Sequence, residues 1–205
     1  HMRLQLRGQL VVGEAKAPYD RFEADRGAMP TSRISDEAQG SDMLYSSGTT
    51  GLPKGVMLTH RNLVVNVDQC AVTLGAGPGD WSVAFLPFFH IYGQTVLMNL
   101  HLAVGASLVT MPRFDLPLFL KLCGDYRTRQ IFVAPPVAVA LAKHPVVDSF
   151  DMSAVERLFS GAAPLGGDVA DAVGARLKLE AVQGYGMTEL APVSHASPIG
   201  AARKG

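Results

Sequence analysis

Apolar runs that suit buried strands alternate along most of this chain with segments of helical periodicity. The strand-like runs are residues 81–86, 106–111, 130–134, 155–159 and 179–183, and the helical segments are residues 63–71, 95–103, 115–122, 137–143 and 167–177. Buried runs of Val, Leu, Ile and Phe separated by helices are typical of parallel sheets. We therefore predict an α/β fold with a largely parallel sheet flanked by helices, in which ligands bind at the carboxyl ends of the strands.

The stretch from Tyr45 to Gly55, Tyr-Ser-Ser-Gly-Thr-Thr-Gly-Leu-Pro-Lys-Gly, combines hydroxyls, glycines and a single lysine. Glycine lets backbone N–H groups approach a phosphate closely, and lysine supplies a mobile positive charge. A short apolar run precedes the stretch, and a helix with Thr59 as its expected N-cap follows, which favours a phosphate-binding loop over a Ser/Gly-rich surface turn. The predicted phosphate-binding residues are Ser46, Ser47, Gly48, Thr49, Thr50, Gly51 and Lys54.

This loop differs from the P-loop of kinases and GTPases. Pro53 stands where that pattern has glycine, and Gly55 stands where it needs the hydroxyl that binds magnesium. Kinase and GTPase functions are therefore disfavoured.

Residues 45–63 resemble the signature loop of the adenylate-forming enzymes, which include acyl-CoA synthetases, 4-coumarate:CoA ligases, luciferases and peptide-synthetase adenylation domains. Three further blocks follow in that family's order: Phe85-Leu-Pro-Phe-Phe-His-Ile-Tyr-Gly93, Leu158-Phe-Ser-Gly-Ala-Ala-Pro-Leu165 and Gln183-Gly-Tyr-Gly-Met-Thr-Glu189. The residues of these blocks are most similar to those of 4-coumarate:CoA ligases and of medium-chain or aryl acyl-CoA synthetases. The resemblance implies part of the large N-terminal domain of such an enzyme.

The resemblance implies that a carboxylate attacks the α-phosphorus of ATP and that pyrophosphate leaves. The acyl adenylate then reacts with the thiol of coenzyme A to form a thioester. ATP, Mg²⁺ and coenzyme A are the implied cofactors, and an aryl or medium-chain carboxylic acid is the implied substrate, with a linear fatty acid as an alternative. Two other functions stay open: adenylation with a carrier protein or oxygen as acceptor, and a non-catalytic nucleotide-binding module.

Glu189, in a Gly-rich turn after a strand, is the candidate magnesium ligand; the alternative is an acid that stabilises a helix start. The resemblance makes Lys54, Thr188 and Glu189 the catalytic set. It also implies an adenine sandwich between the ring of Tyr185 and a backbone wall, although Tyr185 could instead be a core residue. The predicted adenine-binding residues are Gly161, Ala162, Ala163, Pro164, Tyr185 and Gly186.

His90 lies in an aromatic stretch and has no second ligand at a spacing that suits zinc. The residues alone therefore favour a hydrogen-bonded packing role for His90. By resemblance it lines the acyl pocket. We favour substrate positioning over general base catalysis, because a carboxylate nucleophile carries no proton at neutral pH. The predicted acyl-substrate residues are His90, Tyr92, Gly184 and Met187.

The chain has 18 basic and 18 acidic residues, and the basic ones are dispersed, so we expect no nucleic-acid partner. No apolar stretch suits a membrane span, so we expect no stable membrane insertion. Cys70 and Cys123 are far apart in apolar patterns and indicate core residues in a reducing compartment, hence a cytoplasmic location.

We expect three parts along the chain. Residues 1–40 are a tag-removal scar followed by a poorly defined lead-in or linker, residues 41–198 belong to the AMP-binding domain, and residues 199–205 are a truncated tail. The ribose-binding aspartate and the mobile C-terminal domain that the resemblance requires have no counterpart here. We therefore expect an inactive piece of a longer enzyme whose exposed edges favour self-association.

Overall fold

The computed structural model describes residues 41–46, 54–197 and 200. The predictions for residues 1–40, for the tail after residue 200, and for the loop residues Ser47, Gly48, Thr49, Thr50 and Gly51 lie outside the described residues.

The described part begins with an antiparallel pair, β1 (Ser41–Ser46) and β2 (Lys54–Thr59), followed by α1 (His60–Leu74). The predicted N-cap is confirmed, because the Thr59 hydroxyl accepts a hydrogen bond from the backbone N–H of Asn62 at 3.2 Å. The loop, however, is followed by a second strand and not directly by the helix. Ser46 pairs with Lys54 in the register, so the two ends of the loop lie side by side.

The next elements are β3 (Trp81–Ala84), a π-helix (Tyr92–Asn99), α2 (Leu100–Val104) and β4 (Ser107–Thr110), with β3 and β4 parallel. The helix predicted over residues 95–103 thus begins three residues earlier, and most of it has π geometry. Its first turn lies against the preceding loop, since a Cβ on Gly93 would lie only 2.3 Å from the carbonyl oxygen of Pro87.

The α-helices and strands that follow are α3 (Leu116–Asp125), β5 (Gln130–Val133), α4 (Pro135–Lys143), β6 (Arg157–Ser160), α5 (Gly167–Leu177), β7 (Glu180–Gly186) and β8 (Val193–Ala196). Asp115 caps α3, because its carboxylate accepts from the N–H of Leu118 at 2.8 Å. The bounds of α5 are those that its pattern predicts.

The central sheet has the order β5–β6–β7–β8. Strands β5, β6 and β7 are parallel, with Gln130, Arg157 and Glu180 in register at one end. Strand β3 lies beside β5, where the Ser82 hydroxyl oxygen lies 3.3 Å from the carbonyl oxygen of Gln130. The predicted parallel centre is confirmed, whereas β8, which runs antiparallel to β7, was not predicted from the sequence.

Both faces of this sheet are covered by helices. Side chains alternate along β5 and β6, so that Ile131 and Leu158 belong to one core cluster with α3, α4 and α5, while Phe132 and Phe159 belong to a second with α1, the π-helix and α2. Burial on both faces explains why these strands are continuously apolar.

The two cysteines are confirmed as core residues. Cys70 and Cys123 are buried and free, and burial raises the pKa of the Cys70 thiol to about 11 and of the Cys123 thiol to about 12. None of the described helices combines the length and apolar character that a membrane span requires.

Candidate active site

Three of the four sequence motifs meet near the carboxyl ends of β3, β6 and β7. They line a cavity of about 240 Å³, which we call the His90 cavity. Its lining consists of His90, Ile91, Tyr92, Phe159, Gly161, Ala162, Pro192, Val193 and residues 184–189. Two of these motifs start inside β6 and β7, at Leu158 and Gln183.

A small apolar cluster holds the signature hairpin against this cavity. Leu58 from β2, Leu63 from α1, Ile91 and Ala191 pack together, and all four are buried. Ile91 follows His90 directly, and Ala191 follows the 3₁₀ turn Thr188–Leu190, which also contacts β2. The cluster therefore fixes β2, which begins at Lys54, relative to the His90 segment and to the turn that carries Glu189.

Tyr92 forms a wall of the His90 cavity. Its hydroxyl donates to the carbonyl of Phe159 at 3.2 Å, and the side chain is buried. Burial raises the pKa of the Tyr92 phenol well above its usual value, so the group stays neutral. The ring contributes shape to the cavity, while the hydroxyl ties the π-helix to β6.

Glycines in β7 allow the strand to pass close to its neighbours. A Cβ on Gly184 would lie 2.2 Å from the ring of the buried Phe159, and a Cβ on Gly186 would lie 2.3 Å from the carbonyl oxygen of Pro192. The glycines on either side of Tyr185 are therefore required by packing, a reason that the sequence alone did not reveal.

The side chain of His90 is oriented by the backbone. Its Nδ1 accepts a hydrogen bond from the N–H of Tyr92 at 3.2 Å. An accepting Nδ1 leaves the neutral imidazole with its proton on Nε2, which is then a donor. His90 is exposed and lines the cavity, so this N–H is suited to a carboxylate oxygen rather than to abstracting a proton.

Thr188 and Glu189 lie in the short turn after β7, on the rim of the same cavity. Glu189 is exposed, and among the residues that the structure describes no group of three or more His, Cys, Asp or Glu side chains could hold a metal ion. A single accessible carboxylate fits Mg²⁺, which is usually held by one or two carboxylates together with phosphate oxygens and water.

A second cavity of about 510 Å³, the Pro164 cavity, adjoins the His90 cavity at β7. Its lining includes Ala162, Ala163 and Pro164 on one side, Tyr185 on β7, and His195 on β8. Tyr185 is 61% exposed, so it is not a core tyrosine, and its ring is accessible to a ligand. Ala162 has a φ of 73°, a left-handed conformation that turns the backbone at the start of the wall.

Two residues of this region were not singled out from the sequence. Gln183 lines the Pro164 cavity, but its amide is held by the backbone of Leu165, accepting from the N–H at 2.9 Å and donating to the carbonyl at 3.0 Å. His195 lies opposite Tyr185 in the register. The alternation in Val193-Ser-His-Ala196 was the only sequence signal for this strand, and four residues are too few for a firm prediction.

This chain is similar to proteins of one known family. The AMP-binding enzyme family matches residues 7–204. A probable 4-coumarate–CoA ligase from Dictyostelium discoideum is 42% identical over 180 residues, which cover 86% of this chain and 33% of that protein. The crystal structure of ATP-bound MatB from Rhodopseudomonas palustris has a TM-score of 0.71 and 29% identity, covering 78% of this chain and 31% of the other.

A red-emitting luciferase from Phrixothrix hirtus has a TM-score of 0.68 and 33% identity, covering 80% of this chain and 33% of the other. The chain thus spans about a third of the length of the relatives that it matches. Its fold is that of the N-terminal domain of adenylate-forming enzymes. The extent of the family match, together with the convergence of three motifs at the His90 cavity, leads to one conclusion: this chain belongs to the AMP-binding enzyme family.

Proposed function

We propose that the complete protein containing this chain activates a carboxylic acid with ATP and then transfers the acyl group to coenzyme A. One observation carries the proposal: the His90 cavity and the Pro164 cavity share Ala162, Gly184, Tyr185 and Gly186 as common walls. An acyl adenylate has two bulky ends, an acyl group and an adenine, joined through one phosphate. Two adjoining cavities that meet at β7 suit such a ligand.

The acyl end belongs in the His90 cavity in this proposal. The Nε2–H of His90 orients the carboxylate, and the apolar walls from Tyr92 and Met187 hold the carbon skeleton. A cavity of about 240 Å³ suits a flat aryl acid or a medium acyl chain. Holding the carboxylate beside the α-phosphate makes their reaction effectively intramolecular, and this positioning accelerates the adenylation step.

The adenine end belongs between Tyr185 and the backbone of Ala162–Pro164, where stacking on the ring holds the base. Thr188 and Lys54 donate to the phosphate oxygens on which charge develops. Glu189 would hold Mg²⁺, which supplies charge neutralisation of the phosphates when bound. The 4-coumarate–CoA ligase relative supports a carboxylic acid as the substrate, and the ATP-bound structural neighbour supports ATP as the nucleotide.

The test is carboxylate-dependent exchange of pyrophosphate into ATP by the complete protein, measured across a panel of aryl, medium-chain and long-chain acids. We expect exchange with a subset of aryl or medium-chain acids, and formation of the matching thioester when coenzyme A is added. Absence of exchange with every acid while ATP binds would instead support a non-catalytic nucleotide-binding module.

A different acceptor is the second candidate, because a luciferase is among the structural neighbours. Exchange without thioester formation, accompanied by transfer to a carrier protein or by oxygen consumption, would favour it. A cytoplasmic location stays a prediction from the two free cysteines.

A further inference from the structure

The polar side chains of the Pro164 cavity differ in what they can offer a ligand. Gln183, Tyr185, His195 and Ser197 are the polar side chains that line it. The amide of Gln183 is held at both its oxygen and its nitrogen by the backbone of Leu165, so its orientation is set by the fold. The hydroxyls of Tyr185 and Ser197 can donate or accept and discriminate poorly between ligands. His195 is the remaining group.

The hydrogen-bond network around His195 determines its tautomer. The Ser194 hydroxyl donates its proton to the carbonyl of Tyr185 at 3.2 Å and lies 2.9 Å from Nδ1 of His195. Both contacts are satisfied together only if Nδ1 carries the imidazole proton and donates it to the hydroxyl oxygen. In the neutral ring Nε2 is then an acceptor, and among the described residues it has no hydrogen-bond partner.

The orientation of the imidazole excludes stacking on the same base as Tyr185. The two rings lie 6.1 Å apart between centroids and are inclined by 57°. A planar base that lies flat on Tyr185 is therefore inclined by a similar angle to the imidazole. His195 can meet such a base only at its edge, through a ring nitrogen.

We propose that His195 recognises the nucleobase by accepting a hydrogen bond at Nε2 from the exocyclic amino group of adenine. This inference rests on the proposed function, since it assumes that the nucleotide base occupies the Pro164 cavity. Guanine presents a carbonyl oxygen at the corresponding position, which would place two acceptors against each other. His195 thereby selects adenine over guanine.

The test is a binding cycle on the complete protein with two nucleotides that differ by one group, ATP and purine riboside 5′-triphosphate, which lacks the amino group. The wild type is compared with His195→Phe, which keeps a ring beside Tyr185 but has no acceptor. We expect the preference for ATP over the purine analogue to fall by about 2- to 10-fold in His195→Phe, the range of one neutral hydrogen bond. Affinity for the analogue should stay unchanged.

His195→Gln restores an acceptor oxygen and should recover part of the preference for ATP. The matched control is His60→Phe, because His60 is an exposed histidine at the start of α1 and lines neither cavity. If His195→Phe does not fold, His195→Ala is compared with His195→Gln, and the same difference in preference is expected.

An unchanged ratio of the two affinities in His195→Phe would overturn the inference, and so would an equal loss for both nucleotides, which would assign His195 to packing against Tyr185. If the wild type binds neither nucleotide, the proposed function fails and the inference fails with it. If the wild type binds ATP and exchanges pyrophosphate but the ratio does not change, only the role of His195 is wrong.

Discussion

Single atoms decide the shape of the candidate site. Tyr92 packs under Gly161, where an added Cβ would lie 3.1 Å from the ring, and Phe159 packs under Gly184 more tightly still. These contacts keep β7 against the core beside the two cavities that adjoin at this strand. Gly161 and Gly184, in the blocks 158–165 and 183–189, therefore have a packing function in addition to any contact with a ligand.

Gly184→Ala should destabilise the complete protein by about 1–3 kcal/mol, because the new methyl group meets the buried ring of Phe159. The measurement is the urea midpoint of unfolding. Gly77→Ala is the matched control, since a Cβ there has nothing within 4 Å. Equal midpoints for the two variants would show that Phe159 moves aside freely.

Glu189→Gln should reduce pyrophosphate exchange on the order of 10²-fold while the unfolding midpoint stays at the wild-type value, because one charge is removed at similar volume on an exposed turn. Glu156→Gln is a suitable control. Glu156 is also exposed, and it pairs with Arg129 at the amino ends of β5 and β6, away from the two cavities. Wild-type exchange in Glu189→Gln would remove Glu189 from the metal site.

At the scale of elements, a buried polar connection joins α2, β3 and β5. His101 on α2 is buried, its Nε2 lies 2.8 Å from the Ser82 hydroxyl on β3, and its Nδ1 lies 2.8 Å from the carbonyl of Leu97. In the neutral ring Nδ1 donates to Leu97 and Nε2 accepts the proton of the Ser82 hydroxyl, whose oxygen also lies 3.3 Å from the carbonyl oxygen of Gln130. This chain of contacts links the two groups of strands.

Burial lowers the pKa of His101, although its backbone hydrogen bonds and Asp80 act in the opposite direction. The unfolded chain therefore binds a proton more readily than the folded one between the lowered pKa and the ordinary value of about 6.5. Stability from the neutral His101 is present above that value and should be lost as the pH falls below it.

We expect the urea midpoint of the wild type to fall between about pH 7.5 and about pH 5.5, and this fall to be smaller in His101→Leu, even though that variant is less stable at both pH values. His60→Leu, at an exposed histidine, should keep the wild-type pH dependence. An identical fall in His101→Leu and the wild type would show that other groups cause it.

At the scale of the whole molecule, the chain carries large exposed apolar side chains that its own described residues do not cover. Val72 and Phe89 are each 85% exposed, and Met57 is 77% exposed. Exposed apolar side chains of this size are typical of surfaces that contact other protein.

The 205 residues by themselves should show at most weak ATP binding and no carboxylate-dependent pyrophosphate exchange, because groups that act together in a transition state cannot be replaced by part of the set. We also expect them to self-associate through the exposed apolar side chains. The measurements are nucleotide titration, pyrophosphate exchange and sedimentation. Exchange at a rate comparable to the complete protein would contradict this expectation.

The sequence by itself determined the family, the parallel centre of the sheet and most helices. Long apolar runs and capping residues such as Thr59 and Asp115 act over a few neighbouring residues, so they are visible in the chain. The motifs around His90, Tyr185 and Glu189 are recognisable for the same reason, since each is a local string of residues.

Only the tertiary structure decided how these motifs are placed relative to one another. The hairpin partner β2, the π geometry after Tyr92 and the antiparallel strand β8 depend on contacts between residues far apart in the chain, such as Leu58 with Ile91 and Tyr185 with His195. The close approach of Gly184 to Phe159 is likewise set by the packing of β7 on β6. Distances between segments distant in sequence follow from packing, and no local pattern of residues records them.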